Sequence, residues 1–249
     1  MFTSPQKILC RLAVCLCLFA AGGFVDAALA NMTVYPMATT VAGARNVSNT
    51  IQVFSKSDQT QYVQVKIKRV IAPATPNERE EPISAWKGTG IVASPPKFAL
   101  PGGASRAVRI VSLDVPDVEA LYRVYFEPVA APDDGSGMPD RSTHGSVSVN
   151  LIWGVLVRAL PSEPKLAMSR QADTDALTND GNVRVGARQV GRCVLGAPDD
   201  SCQWTALERN VYPGGALPLP PGLRHEFIRL KFHVQGHDAI QSRDFAPVP

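Results

Sequence analysis

A chain of 249 residues with 45% hydrophobic and 19% charged residues has room for one or two globular domains and a sizeable core. Its net charge of +3, with no Lys/Arg block, argues against a nucleic-acid partner. The 21 prolines fall mostly between apolar runs, which suits short strands and turns.

Residues 1–30 read as a secretory leader. Lys7 and Arg11 supply the basic start, Leu12 to Val25 the apolar region, and Ala28-Leu29-Ala30 a small-residue cleavage site, so the mature chain is expected to begin at Asn31. Loss of Lys7, Arg11 and Asp26 leaves a net charge of +2. The apolar run falls short of the roughly 20 residues that span a bilayer, so no membrane anchor is expected. The residues before Cys15 and Cys17 match a lipid-attachment signal poorly. Only Cys193 and Cys202 remain after the leader, and in an oxidising compartment they are expected to form a disulfide. Closing a loop of about ten residues is worth roughly 2–3 kcal/mol. A two-cysteine metal site is the rival reading, with no His or Cys nearby to complete it.

From Met32 onward, strand-like runs follow one another: Thr50 to Ser55, Gln61 to Ile71, Gly90 to Ser94, Arg106 to Leu113 and Leu121 to Val129. In Gln61 to Ile71, Val63, Val65 and Ile67 alternate with Lys66 and Lys68, the pattern of a half-buried strand. Turn formers separate the runs, at Ala72-Pro73, Pro95-Pro96 and Pro101-Gly102-Gly103. No long amphipathic helix is expected between the leader and Leu160. The fold class is therefore all-β, of the sandwich type. The segment between Glu127 and Gly145 is rich in Pro, Gly, Asp and Ser and is expected to be a long mobile loop. Its Asp133-Asp134-Gly135 fragment lacks the further ligands of a calcium loop.

Gly145 to Leu160 is the longest β-rich run after the leader. Val147, Val149, Leu151, Trp153, Val155 and Val157 repeat at period two and share one face of an extended chain. Sixteen residues are about three times the usual strand length. Such a strand either crosses a whole domain or runs past its sheet to meet another chain. Pro161-Ser162-Glu163-Pro164 then makes a stiff linker. A smaller domain follows, with a turn at Asn179-Asp180-Gly181-Asn182 and a final strand expected at His225 to Val234; the tail from Gly236 is expected to fray. The expected organisation is leader 1–30, first domain 31–160, linker 161–164, second domain 165–237 and tail 238–249.

The chain carries no nucleophile elbow, zinc-protease helix motif or phosphate-binding glycine loop, so an enzyme is not expected. The histidines are His144, His225, His233 and His237. The last two would share a strand face, but exposed terminal residues are the simpler account, and no metal site is expected.

The ordered segments together resemble a known family. They are Gly90 to Gly103, with Pro95-Pro96 and Pro101-Gly102; Arg106 to Ile110; Leu121 to Glu127; the long alternating strand; and the proline linker. They resemble the periplasmic chaperones of the chaperone–usher pathway, which escort pilus subunits. Met32 to Met37, and the pairing of Leu121–Phe126 with Gly154–Pro161, are most similar to the alternate, class-five-like group. Asn179 to Val185 and Asn210 to Gly214 extend the likeness into the second domain, which looks shorter than in better-known members.

The resemblance implies two immunoglobulin-like β-sandwiches in an L or boomerang arrangement with a cleft between them. It implies donor-strand complementation, a form of β-strand addition, in which the long strand completes an incomplete pilus subunit before delivery to the outer-membrane usher. The donor positions would be Val147, Val149 and Leu151, with Trp153 either a fourth contact or part of the first domain's core. Better-known members hold the subunit's terminal carboxylate with an Arg in the first strand and a Lys in the long strand. Those positions here are Ala38 and the stretch Gly154 to Leu156, all uncharged. A replacement cation is expected from Arg158 first, then Lys66, Lys68 or Arg123. No cofactor is implied, the compartment is the periplasm, and the exposed strand invites self-association. The alternative is an exported two-sandwich adhesin or structural pilus component.

Overall fold

The computed structural model describes residues 31–42, 47–83, 88–132, 151–171, 173–234 and 239–248. The first half of the chain forms β1 (Met32–Tyr35), β2 (Ala38–Ala42), β3 (Ser48–Ser55), β4 (Gln61–Ile71), β5 (Arg79–Pro82), β6 (Ile91–Ser94), β7 (Lys97–Leu100), β8 (Ser105–Ser112), β9 (Ala120–Val129) and β10 (Trp153–Leu160). Two sheets result, one ordered β1-β3-β8-β6 and the other β2-β10-β9-β4-β5 with β7 also on β4. The chain passes from the first sheet to the second between β1 and β2, where the Tyr35–Pro36 bond is cis.

The alternation read from the sequence explains the layering. On β4, Val63 and Val65 are buried while Lys66 and Lys68 point outward. Ile51, Val53, Val108, Ile110, Val124 and Phe126 meet them from the facing strands and fill one continuous core.

The second half forms β11 (Met168–Arg170), β12 (Ala176–Asn179), β13 (Val185–Arg192), β14 (Gln203–Val211), β15 (Ala216–Pro218), β16 (Ile228–Val234) and β17 (Gln241–Phe245). The sheets are β11-β12-β15 and β14-β13-β16-β17, closing over a separate core around Leu177, Val190, Leu217, Leu230 and Phe232. Adjacent residues of β10 serve the two cores: Ala159 belongs to the first and Leu160 packs against the second. The Cys193–Cys202 disulfide is formed and closes the connection from β13 to β14.

Three expectations need correction. The His225 to Val234 segment supplies β16 but is not the last strand, because β17 pairs with it from Ile228↔Phe245 to Phe232↔Gln241. The tail is therefore not frayed over Gln241–Phe245: Phe245 is buried in the second core, and Arg170 donates to the Ala246 carbonyl at 2.7 Å. The long strand begins at Trp153 among the described residues, and residues 145–150 lie outside them.

Asn179 sits at the hinge side of the second domain with no exposed surface. Its Nδ2 donates to the carbonyls of Val183 and Val211, both at 2.9 Å, and its Oδ1 accepts from the Gly181 N–H at 3.0 Å. Gly181 is required here, since a Cβ would stand 2.3 Å from the Lys165 carbonyl oxygen. Asn179→Ala leaves two buried carbonyls without these donors and should cost about 2–4 kcal/mol, read by chemical denaturation. A loss below about 0.5 kcal/mol would contradict this account of the turn.

Candidate functional site

β10 has unequal neighbours along its length. On one side β9 pairs with it antiparallel from Trp153↔Phe126 to Ala159↔Ala120. On the other side β2 pairs with it in parallel, but only from Leu156↔Ala38 to Leu160↔Ala42. The Leu156 N–H donates to the Met37 carbonyl at 3.0 Å. N-terminal to Leu156, no strand among the described residues covers that side of β10.

The core face of β10 carries Val155, Val157 and Ala159, all buried, and Trp153 packs against the same core. The Trp153 indole N–H is buried without a hydrogen-bond partner among the described residues. Leu151 has the same parity but lies beyond the domain and is 45% exposed, with Ile152 57% exposed beside it. Val147 and Val149 fall outside the described residues.

The opposite face of β10 carries Gly154, Leu156 and Arg158. A Cβ on Gly154 would stand 3.2 Å from the Tyr125 ring and 3.3 Å from the Arg123 side chain. Without one, those two side chains lie across the strand. Arg123 forms ion pairs with Glu80 at 2.6 Å and Glu78 at 3.7 Å. Lys68 reaches Glu80 at 3.4 Å and stacks 5.1 Å over the Tyr125 ring, while Lys66 pairs with Glu127 at 2.5 Å. The Tyr125 hydroxyl lies 2.7 and 2.8 Å from the two Glu80 oxygens. Each of these three sequence-selected cations thus has a carboxylate partner within the chain. Burial works against ionisation of Glu80, but Tyr125, Lys68 and Arg123 outweigh it and hold its pKa below the usual 4.5.

Arg158 is placed differently. It lines a cavity of about 360 Å³ between the domains, with Thr39 and Thr40 from β2 and with Arg184, Asn210 and Tyr212 from the second domain. Ala38 and Leu156, neighbours across the β2–β10 register, line it too. The Arg158 side chain is nearly buried and lies 3.8 Å from Glu119 Oε1. Burial first, and then the charge of Arg184, push the Arg158 pKa down from its usual value; Glu119 opposes this.

Glu119 joins the domains. Its side chain has no exposed surface, its Oε2 accepts from the Arg184 backbone N–H at 2.7 Å, and its own N–H donates to the Asn182 carbonyl at 2.9 Å. The Asn182 Nδ2 donates to the carbonyls of Asp117 and Glu163, both at 3.0 Å, and its Oδ1 accepts from the Lys165 N–H at 2.6 Å. Sequence reasoning missed Glu119, Arg184 and Tyr212 as site residues. Val183-Arg184-Val185 and Asn210-Val211-Tyr212 were legible only as strand and turn segments. Elsewhere, the His225 Nδ1 lies 3.0 Å from the Val248 carbonyl, His233 sits on β16, and His144 and His237 lie outside the described residues.

Two sandwiches joined through one strand, whose free edge opens above an arginine-lined cleft, define a protein organised around lending a strand. Comparison with known proteins agrees. The chain is 32% identical over 223 residues to a CFA/I fimbrial protein of Escherichia coli, covering 88% of this chain and 92% of that protein. The crystal structure of the class 5 fimbriae chaperone CfaA matches with a TM-score of 0.75 and 32% identity, over 88% of this chain and all of that one. A chain from the chaperone–tip adhesin complex of CFA/I fimbriae biogenesis matches with a TM-score of 0.73 and 33% identity, again over 88% and 100%. No family model matches the sequence. The chain belongs to the class 5 fimbrial chaperones of the chaperone–usher pathway. The adhesin alternative is not favoured.

The Glu80 cluster fixes a pH dependence. Its depressed folded pKa contributes stability that is complete above the unfolded value of 4.5 and lost as pH falls through the folded value. The stability gap between the wild type and Glu80→Gln, read by thermal unfolding, should therefore be larger at pH 7 than at pH 3. A gap that widens on acidification would contradict the assignment.

Proposed function

We propose that this chaperone works in the periplasm by donor-strand complementation, after removal of its leader behind Ala30. The described parts fit domains at 31–160 and 165–237 with a linker at 161–164, the second core extending into Phe245 beyond that boundary. Val147, Val149 and Leu151 are the donated side chains. The observation that carries this reading is the unpaired edge of β10 N-terminal to Leu156, on a strand whose core parity continues outward to the half-exposed Leu151.

An incomplete pilus subunit exposes unpaired backbone groups and apolar surface, and an open edge of matching periodicity can cover both. Burying three branched side chains gives a gross gain of about 5–9 kcal/mol, reduced by ordering costs. A grip of that size can later be exchanged for another subunit's extension at the outer-membrane usher. The related chaperone–tip adhesin complex supports the choice of a pilus component for the bound partner.

Trp153 caps the domain's own core and borders the donated stretch. Arg158 is the anchor for the subunit's terminal carboxylate, since it is the one sequence-selected cation that lines the interdomain cavity. Lys66, Lys68 and Arg123 are engaged by Glu127, Glu80 and Glu78 on the sheet face and are the weaker candidates. A non-enzymatic role fits a family whose members act by binding.

Val149→Asp and Leu151→Asp should each reduce co-purification of pilus subunits from the periplasm at least about tenfold, while leaving the thermal unfolding of the chaperone unchanged. Undiminished recovery would refute the donor assignment. Arg158→Lys keeps a charge beside Glu119 but loses the two-pronged guanidinium, and should lower subunit recovery several-fold. Wild-type recovery with this variant would move the anchor elsewhere.

A further inference from the structure

The interdomain cavity holds two guanidiniums from different domains. Arg158 enters from β10 and Arg184 from the segment preceding β13. Like charges facing one enclosed space repel unless an anion lies between them, and each gains from sharing it. The space also presents hydrogen-bonding side chains that carry no negative charge, namely Thr39, Thr40, Asn210 and Tyr212. Among the described residues, the carboxylate ion-paired with Arg158 is Glu119, loosely at 3.8 Å. Glu119 gives its better bond, at 2.7 Å, to the Arg184 backbone and not to either guanidinium.

We infer that Arg184 is the second cation of the carboxylate site, so that one subunit terminus is held by an arginine from each domain. This rests on the chaperone reading above and adds a residue and a geometry to it. Arg158 is fixed from behind by Glu119, and the Arg184 backbone is fixed by the same carboxyl group. The separation of the two cationic groups is therefore tied to the junction of the domains. Asn210 also accepts from the Arg184 side chain, steadying it from the second-domain side. Charge coupling supports the arrangement. Arg184 acts on Arg158, and the Tyr212 hydroxyl, raised chiefly by burial, feels both arginines in the opposite direction. The uncharged Ala38 and Leu156 then leave room in the cavity without supplying a charge of their own.

The test uses N-acetylglycine, the smallest mimic of a chain terminus, titrated into the purified mature chaperone at constant ionic strength. The side-chain Nε–Hε resonances of Arg158 and Arg184 are followed by NMR, with N-acetylglycinamide plus chloride as the control. Both resonances should shift along one binding curve with the acid and stay in place with the amide. Arg184→Gln should weaken the Arg158 response roughly tenfold, while the melting temperature and the bond from Glu119 to the backbone at position 184 are retained. An unmoved Arg184 resonance, an unchanged Arg158 curve in Arg184→Gln, or equal shifts with the amide would each overturn the inference. Failure of the chaperone reading would show separately, as absence of recovered pilus subunits with the wild-type protein, and this titration does not depend on it.

Discussion

The structure depends on where the pairing of one strand stops. β10 has partners on both sides from Leu156 onward and, among the described residues, on one side only before it. Backbone N–H and C=O groups on an uncovered side must find water or another chain. The end of β2 at Ala38 therefore divides β10 into a half that holds this protein together and a half that remains available. Everything else positions that boundary. Val155, Val157 and Ala159 lock the covered half into the first core, and Leu160 reaches the second. The available half cannot tilt without disturbing both.

The junction of the domains is polar, and its order comes from satisfied groups more than from apolar area. Asn182 makes three side-chain hydrogen bonds to first-domain and linker backbone and to its own domain's edge, and Glu119 bonds back across. A fully buried carboxylate is tolerable only with donors and a cation nearby. The arginines in the cleft are thus part of what allows Glu119 to be buried. Joining the domains and presenting positive charge to the cleft are two aspects of one arrangement.

Much of this was legible in the sequence. β4 runs from Gln61 to Ile71 as its alternation indicated, and β9 and β10 follow theirs closely. β5 was missed because Arg-Glu-Glu-Pro has no apolar period; it is held to β4 by ladder bonds and by Glu80 reaching Arg123 and Tyr125. β17 was missed for a similar reason, since only Phe245 of Gln241–Phe245 points into the core. Parity placed Arg158 on the outer face of its strand, and the period could carry that much. The partners Glu119 and Arg184 come from distant segments and meet only once both domains are assembled, so no local pattern could announce them. The same holds for Lys66, Lys68 and Arg123: periodicity put them on a sheet face, but not their carboxylates beside them.

The charged character of β5 has a further consequence. A protein that keeps one strand edge open for partners must make its other edges unattractive, or it would polymerise with itself. β5 closes its sheet with Arg79, Glu80 and Glu81 and ends on Pro82, which offers no N–H. β6, at the border of the other sheet, has four residues and runs straight into Pro95 and Pro96. In the second domain the ladder between β13 and the border strand β14 is interrupted by an irregularity near Ala187 and Gln189. Stickiness is thereby confined to one address on the molecule, and selectivity begins with the edges that refuse a partner.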